Sequence, residues 1–168
     1  MNRIMVIGQP AAGKSTFARA LGARTGLPVV HIDQIYWMPG WTERPRAQAI
    51  AMVEEAQARE QWIFEGNNTS TWPGRVARAD LIIWLDLPVW QRYWRLARRI
   101  AGSYGRTRPD MAPDCPERIS LEFIIYIWRT RQTWRRKAAA LFAAEPSAAQ
   151  RVHLRSQAEM DAYLEGWR

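Results

Sequence analysis

The chain of 168 residues has little of what several common protein classes require. Its one cysteine, Cys115, excludes an internal disulfide and any zinc site built from several cysteines. No apolar run approaches the 18 or more residues of a membrane span, and the chain opens into an apolar strand rather than a signal peptide. We therefore expect a reduced, cytoplasmic protein with no membrane partner.

Lysine is also scarce, because Lys14 and Lys137 are the only two among 24 cationic residues. The formal net charge of +8 favours anionic partners, which include nucleotides and phosphorylated substrates as well as nucleic acid. A bias of arginine over lysine, with abundant alanine, also arises from genomic base composition. Charge alone therefore does not establish DNA binding.

One of the two lysines lies in a phosphate-binding loop motif. Residues 8–15 match the pattern G-x-x-x-x-G-K-[ST], and they follow an apolar strand at 4–7 and precede a helical pattern that Gly26 ends. Glycines allow the backbone to turn its N–H groups towards phosphate oxygens, the Lys14 amine reaches the outer phosphates, and the Ser15 hydroxyl binds Mg²⁺. The predicted ATP-binding residues are Gly8, Gln9, Pro10, Ala11, Ala12, Gly13, Lys14, Ser15 and Thr16.

Strand and helix patterns alternate along the rest of the chain. Apolar strands are predicted at 4–7, 28–32, 61–64, 81–85 and 151–154. Helices are predicted after the loop motif, at 45–59, from 88 to about 100 and at about 120–144. A last helix is predicted to begin at a capping box formed by Ser156 and Glu159. This order predicts a P-loop NTPase fold of the α/β class, a three-layer sandwich with a five-stranded parallel sheet and helices on both faces. No linker divides the chain, so we expect one domain over residues 1–168.

Several stretches carry a family resemblance. The order of elements resembles the adenylate-kinase-like branch of P-loop kinases. More narrowly, the chain resembles a bacterial family labelled DNA topology modulation protein, FlaR-related, or AAA-family ATPase; the stretches that resemble it are 3–15, 31–33, 37–41, 62–67, 105–111 and 115–118. The resemblance implies ATP and Mg²⁺ as cofactors and a lid at the irregular segment of about 102–118.

Two carboxylates receive roles from the kinase resemblance. Glu65, at the end of the third predicted strand, corresponds to the residue that orients magnesium and its waters, and together with Ser15 it is our candidate metal ligand. The alternative for Glu65 is a carboxylate that caps a turn. Asp33, at the carboxyl end of the second strand, is our candidate base for an acceptor hydroxyl, and an N-cap or Asx turn on the following helix is an equal alternative. His31 would share its strand face with Asp33, and a structural role is the commoner one for a single histidine.

The acceptor and the transferred phosphate need further contacts. Tyr36, Trp37 and Trp41 form an aromatic segment that could stack on a base or sugar, or simply pack. Arginines are frequent around the predicted lid, and Arg106 and Arg108 inside it are our candidates for binding the transferred phosphoryl group.

The sequence therefore predicts a kinase that transfers the γ-phosphate of ATP·Mg²⁺ to a small-molecule acceptor, with some basal ATPase activity. Asp33 favours a hydroxyl acceptor, whereas Arg44 and Arg46 could instead clamp an acceptor phosphate. The alternative is an ATP-binding regulator that acts on DNA through its basic surface. We find no signature of a DNA-binding motif, so this alternative is less favoured.

Overall fold

A computed structural model describes residues 1–144 and 149–167. In chain order the elements are β1 (Arg3–Gly8), α1 (Lys14–Thr25), β2 (Val29–His31), α2 (Ile32–Tyr36), β3 (Trp37–Met38), β4 (Thr42–Glu43), α3 (Arg46–Ala58), β5 (Trp62–Glu65), α4 (Trp72–Arg78), β6 (Leu81–Leu85), α5 (Val89–Ser103), α6 (Leu121–Ala143), β7 (Gln150–Leu154) and α7 (Gln157–Glu165). None of the helices within this described part is both long and apolar enough to cross a membrane.

The predicted five-stranded parallel sheet is confirmed, in the order β2-β5-β1-β6-β7. Strand β1 lies at its centre, with β5 on one side and β6 on the other. In the register of the sheet, Glu65 at the end of β5 is opposite both Val6 of β1 and His31 of β2. The carboxyl ends of these three strands are therefore brought together at one edge, where open α/β sheets bind their ligands.

Helices cover both faces of the sheet, as predicted. Because side chains alternate along a strand, Ile4 and Val6 of β1 pack with Phe17 of α1, whereas Met5 and Ile7 lie in the cluster on the opposite face. The first cluster includes residues of α1 and α7, and the second includes residues of α3, α4 and α6. All four of these β1 side chains are fully buried. Burial on both faces explains the continuous apolar run of this strand.

The structure corrects some predicted boundaries. Strand β2 ends at His31 rather than Ile32, and α2 begins at once, so Asp33 lies in a short helix and not on a strand. His31 and Asp33 therefore do not share a strand face, as we had expected. Helix α5 continues to Ser103, three residues beyond the predicted end near Ile100. Only residues 104–120 of the region around the predicted lid lie outside helices.

Two small features were not predicted. Strands β3 and β4 form a two-stranded antiparallel hairpin within the aromatic segment. Helix α4 follows a 3-10 turn at Thr69–Thr71 and has a proline in its first turn, in a stretch whose Ser, Thr, Pro and Gly content is typical of a loop. At α7 the capping box is modified: the Ser156 side chain accepts from the N–H of Glu159, but the Glu159 carboxylate accepts from the N–H of Arg155.

Candidate active site

A cleft of about 1960 Å³ opens at the carboxyl edge of the sheet. The predicted site residues that line it are Pro10, Ala11, Gly13, Lys14, Ser15, Thr16, Asp33, Tyr36, Trp37, Trp41, Glu65 and Arg108. Of the remaining predictions, Gly8, Gln9 and Ala12 belong to the phosphate loop, and Arg106 is an exposed residue of the predicted lid that does not line the cleft.

The loop between β1 and α1 is compact and depends on its glycines. A Cβ atom on Gly8 would lie 2.5 Å from the carbonyl oxygen of Leu85, so only glycine fits where β1 ends beside β6. Gly13 caps the amino end of α1 with a φ of 87°, in the left-handed region that favours glycine. Within the loop the N–H of Ala12 donates to the carbonyl oxygen of Gln9 at 3.2 Å. Lys14, Ser15 and Thr16 line the cleft, so the amino end of α1, where the helix dipole is positive, faces it.

Lys14 occupies the cleft with its amine folded back on the loop. The Nζ atom donates to the carbonyl oxygen of Gln9 at 3.1 Å. Burial lowers the pKa of the Lys14 amine, and the negative charges of Glu65 and Asp33 oppose this effect. The amine thus has two acidic neighbours across the cleft and a weak backbone partner that a phosphate oxygen can replace.

Glu65 is held by a histidine. Its Oε1 atom lies 2.7 Å from His31 Nδ1, and both side chains are buried. The contact follows from the sheet register, in which the two residues are directly opposite each other on β5 and β2. His31 therefore fixes one oxygen of the carboxylate. The turn-capping alternative for Glu65 is not what the structure shows, because its observed partner is this side chain.

Asp33 has the most strongly shifted carboxyl pKa of the cleft. Burial first and then the negative charge of Glu65 raise the pKa of Asp33, which Lys14 and Arg108 lower in part, so that it lies at about 6 rather than 3.8. His31 occupies the cap position of α2 and Asp33 lies in its first turn, so Asp33 is not the N-cap of this helix. A carboxylate with a pKa of about 6 is suited to accept a proton near neutral pH.

The aromatic segment contacts the predicted lid. Trp37 and Trp41 pack edge to face, with ring centroids 5.4 Å apart, and both contact a buried cluster that contains Met111 and Cys115. The backbone N–H of Trp41 donates to Cys115 Sγ at 3.4 Å, and its indole N–H donates to the carbonyl oxygen of Pro116 at 3.1 Å. Packing therefore accounts for much of each ring, although both residues still line the cleft.

Arginines at the cleft are paired with two buried acidic residues of the predicted lid. Arg108 bonds to Asp110, and its Nε lies 2.8 Å from a carboxylate oxygen of Glu117. Arg19 reaches Asp110 at 2.7 Å, and Arg99 reaches Glu117 at 3.0 Å. Arg19, Arg99 and Arg108 are thus held by carboxylates in this structure.

Helix α5 also brings arginines to the phosphate loop. Arg92 is buried and donates to the carbonyl oxygen of Pro10 at 3.4 Å, and Arg95 donates to that of Ala12. Together with Arg99 they recur at helical spacing, which the sequence showed. Our preference for Arg106 and Arg108 missed that the helical arginines lie closer to the loop.

Sequence reasoning also missed the polar segment after β5. Asn67, Asn68, Thr69 and Ser70 line the cleft. The buried Arg75 positions this segment, because its guanidinium donates to the carbonyl oxygens of Gly66 and Asn68 at 2.9 Å each and to that of Asn67 at 3.3 Å. The available signal was a polar run directly after a buried strand, at the edge where ligands bind.

Comparisons with known proteins give the fold. No protein-family model matches the chain, and no curated protein matches it. Among solved structures, a shikimate kinase from Acinetobacter baumannii in complex with shikimate is 15% identical, with a TM-score of 0.59 over 99% of this chain and 90% of that one. A sugar kinase from Janibacter sp. is 15% identical, with a TM-score of 0.54 over 99% and 94%.

A shikimate kinase from Aquifex aeolicus is also 15% identical, with a TM-score of 0.51 over 98% of this chain and 92% of that chain. These similarities do not confirm the topology-modulation label that the sequence suggested. They do confirm the fold class, since each neighbour spans nearly the whole chain. The protein has the P-loop kinase fold.

Proposed function

We propose that the protein is a kinase that transfers the γ-phosphate of ATP·Mg²⁺ to a hydroxyl group of a small molecule. The observation that carries the proposal is the convergence of Lys14, Asp33 and Glu65 in one cleft beside the phosphate loop. Structural neighbours named as sugar and shikimate kinases support a small-molecule acceptor. The DNA-acting alternative is not favoured by these neighbours.

The donor set of the cleft fits magnesium. Ser15 supplies a hydroxyl at the start of α1, and Glu65 supplies a carboxylate whose Oε1 is held by His31. Magnesium in kinase sites is bound by hard oxygen ligands, with one or two carboxylates and the substrate phosphates. When bound, the ion neutralises charge on the phosphates. Ser15 and Glu65 are the residues that would hold it or its waters.

The remaining residues divide the work of phosphoryl transfer. The oxygen of the acceptor hydroxyl bonds to the γ-phosphorus of ATP, and Asp33 takes the proton of that hydroxyl. The bond between the γ-phosphorus and the leaving ADP oxygen breaks. The Lys14 amine exchanges its backbone partner for phosphate oxygens. Arg99 and Arg108 bind the charge of the transferred group once they leave the lid carboxylates. Arg106, which we also predicted for this role, would first have to turn towards the cleft.

The acceptor side of the cleft supports a hydroxyl-bearing molecule. The amide and hydroxyl groups of Asn67, Asn68, Thr69 and Ser70 can exchange hydrogen bonds with such a molecule. Arg44 donates through its Nε to the carbonyl oxygen of Ile35 at 2.6 Å, which ties part of this side chain to the backbone. We therefore retain the preference for a hydroxyl over a phosphate acceptor.

A panel of metabolites tests the proposal through ADP release coupled to absorbance. One class of hydroxyl compounds should raise ADP release well above the basal rate. Asp33→Asn should then lower kcat by about 10²-fold or more with ATP affinity little changed. Asp114→Asn is the matched control, because Asp114 is exposed and its φ of 53° suits asparagine. An acceptor phosphorylated on a phosphate group, or full turnover in Asp33→Asn, would contradict the proposed role.

A further inference from the structure

Helices α5 and α6 present an outer face of large apolar side chains. Trp90, Trp94 and Trp128 are each more than half exposed, and Leu121 and Ile125 are exposed beside them. The two helices are in contact, because the Tyr93 hydroxyl donates to the carbonyl oxygen of Ile124 at 2.9 Å. This contact places the two helices next to each other, and we call the surface that carries these exposed apolar side chains the outer face.

The spacing of these residues is that of a helix packing surface. Along α5, residues 90, 94, 97 and 101 are Trp, Trp, Ala and Ala, and all four are exposed. Along α6, residues 121, 125 and 128 are Leu, Ile and Trp. Steps of four and three residues keep side chains on one side of a helix, as in seams between packed helices. The outer face therefore suits a partner that offers helices.

We propose that the outer face is the interface of a homodimer, in which α5 and α6 of one copy pack on α5 and α6 of the second. The three tryptophans alone present roughly 400 Å² of apolar surface, which is as large as the largest patch on a typical monomer. The area of the outer face increases further with Leu121, Ile125 and the polar residues around them. It thereby approaches the ~800 Å² that each partner of a standard interface contributes. A two-fold axis offers each copy the same pair of helices.

Charges around the outer face distinguish a second copy of the chain from anionic lipid or nucleic acid as the partner. On a helical wheel Arg98, Glu122 and Arg129 lie beside the apolar stripes, so the rim carries both signs. The net charge of +8 makes two copies repel each other, and salt screens that repulsion. A homodimer should therefore tighten as salt rises. Binding to anionic lipid or nucleic acid should instead weaken.

Sedimentation velocity of the full chain from about 1 to 100 µM tests the proposal. The wild type should form a dimer, and its dissociation constant should fall as NaCl is raised from about 0.05 to 0.5 M. Trp94→Glu should raise the dissociation constant by about 100-fold or more, because it places a charge in the centre of an apolar interface. Met52→Glu is the matched control and should leave the constant unchanged, since Met52 is an exposed apolar residue on α3, a helix that is not part of the outer face.

Three outcomes would overturn the proposal. One is a wild type that stays monomeric at the highest concentration, and a second is a dimer that persists in Trp94→Glu. The third is a monomer that sediments with phosphatidylglycerol vesicles or binds duplex DNA, and loses this binding in Trp94→Glu. Circular dichroism checks the fold of each variant, and Trp90→Gln, at the same face, replaces Trp94→Glu if that variant does not fold.

Discussion

Replacing Asp33 by asparagine should stabilise the protein while it removes the proposed base. The pKa of this carboxyl is raised from 3.8 to about 6 in the folded protein, chiefly by burial. The folded protein therefore holds the proton more tightly than the unfolded chain does. The stability that this group contributes is fully present below pH 3.8 and is lost as the pH rises through about 6.

The magnitude follows from the shift. A difference of about two pKa units corresponds to about 3 kcal/mol once the group is ionised in both states, near pH 7.5. Asp33 is half-buried rather than fully enclosed, so solvent reduces this value, and we expect about 1 to 3 kcal/mol. Asparagine resembles the protonated carboxyl in shape and charge. The gain of Asp33→Asn should therefore be near zero at about pH 4 and largest near pH 7.5.

Urea unfolding of wild type and Asp33→Asn at about pH 4, 6 and 7.5 measures this gain. Asp114→Asn provides the control, because its carboxylate is exposed and the variant should follow the wild type at every pH. A variant less stable than the wild type at about pH 7.5 would refute the reasoning. So would a difference that does not change with pH. Higher stability together with lost turnover is the pattern expected of an active-site residue whose ionised form destabilises the folded protein.

Two other substitutions test the phosphate contacts. Lys14→Ala should abolish ATP binding measured by calorimetry while the circular dichroism spectrum is kept, because this side chain projects into the cleft rather than into the core; equal affinity would contradict the loop assignment. Glu117→Gln should lower stability by about 2 kcal/mol, because it removes the carboxylate partner of Arg99 and one of the two carboxylate partners of Arg108, which keeps Asp110. The same variant should bind ATP several-fold more tightly, since the Arg99 guanidinium no longer needs to leave a carboxylate. Weaker binding would show instead that Glu117 orients them.

The phosphate loop could be predicted because its information is local. A buried strand, the two glycines and Lys14 follow one another within fifteen residues, and each has a stereochemical reason to be there. The parallel sheet could be predicted for a similar reason, because strands buried on both faces have continuous apolar runs such as residues 4–7. These features need no knowledge of distant parts of the chain.

The contacts of the site could not be predicted in the same way. The His31–Glu65 pair exists because β2 is the neighbour of β5, and strand order is set by packing rather than by local pattern. Trp41 meets Cys115 across 74 residues, so its partner could not be read from the aromatic segment itself. Asp33 was placed at a strand end because an apolar run includes Ile32, which in fact begins α2. The strand ends instead at His31, which is the residue opposite Glu65.

Helix α5 connects the two proposals. Arg92 and Arg95 on its inner side donate to carbonyl oxygens of the phosphate loop, and Trp90 and Trp94 lie on its opposite, exposed side. Because α-helical side chains repeat every 3.6 residues, one helix can carry these two sets of side chains on opposite sides. The loop contacts position it from within. A partner on the outer face would hold it from outside, which gives the exposed tryptophans a physical reason to accompany arginines that contact the phosphate loop.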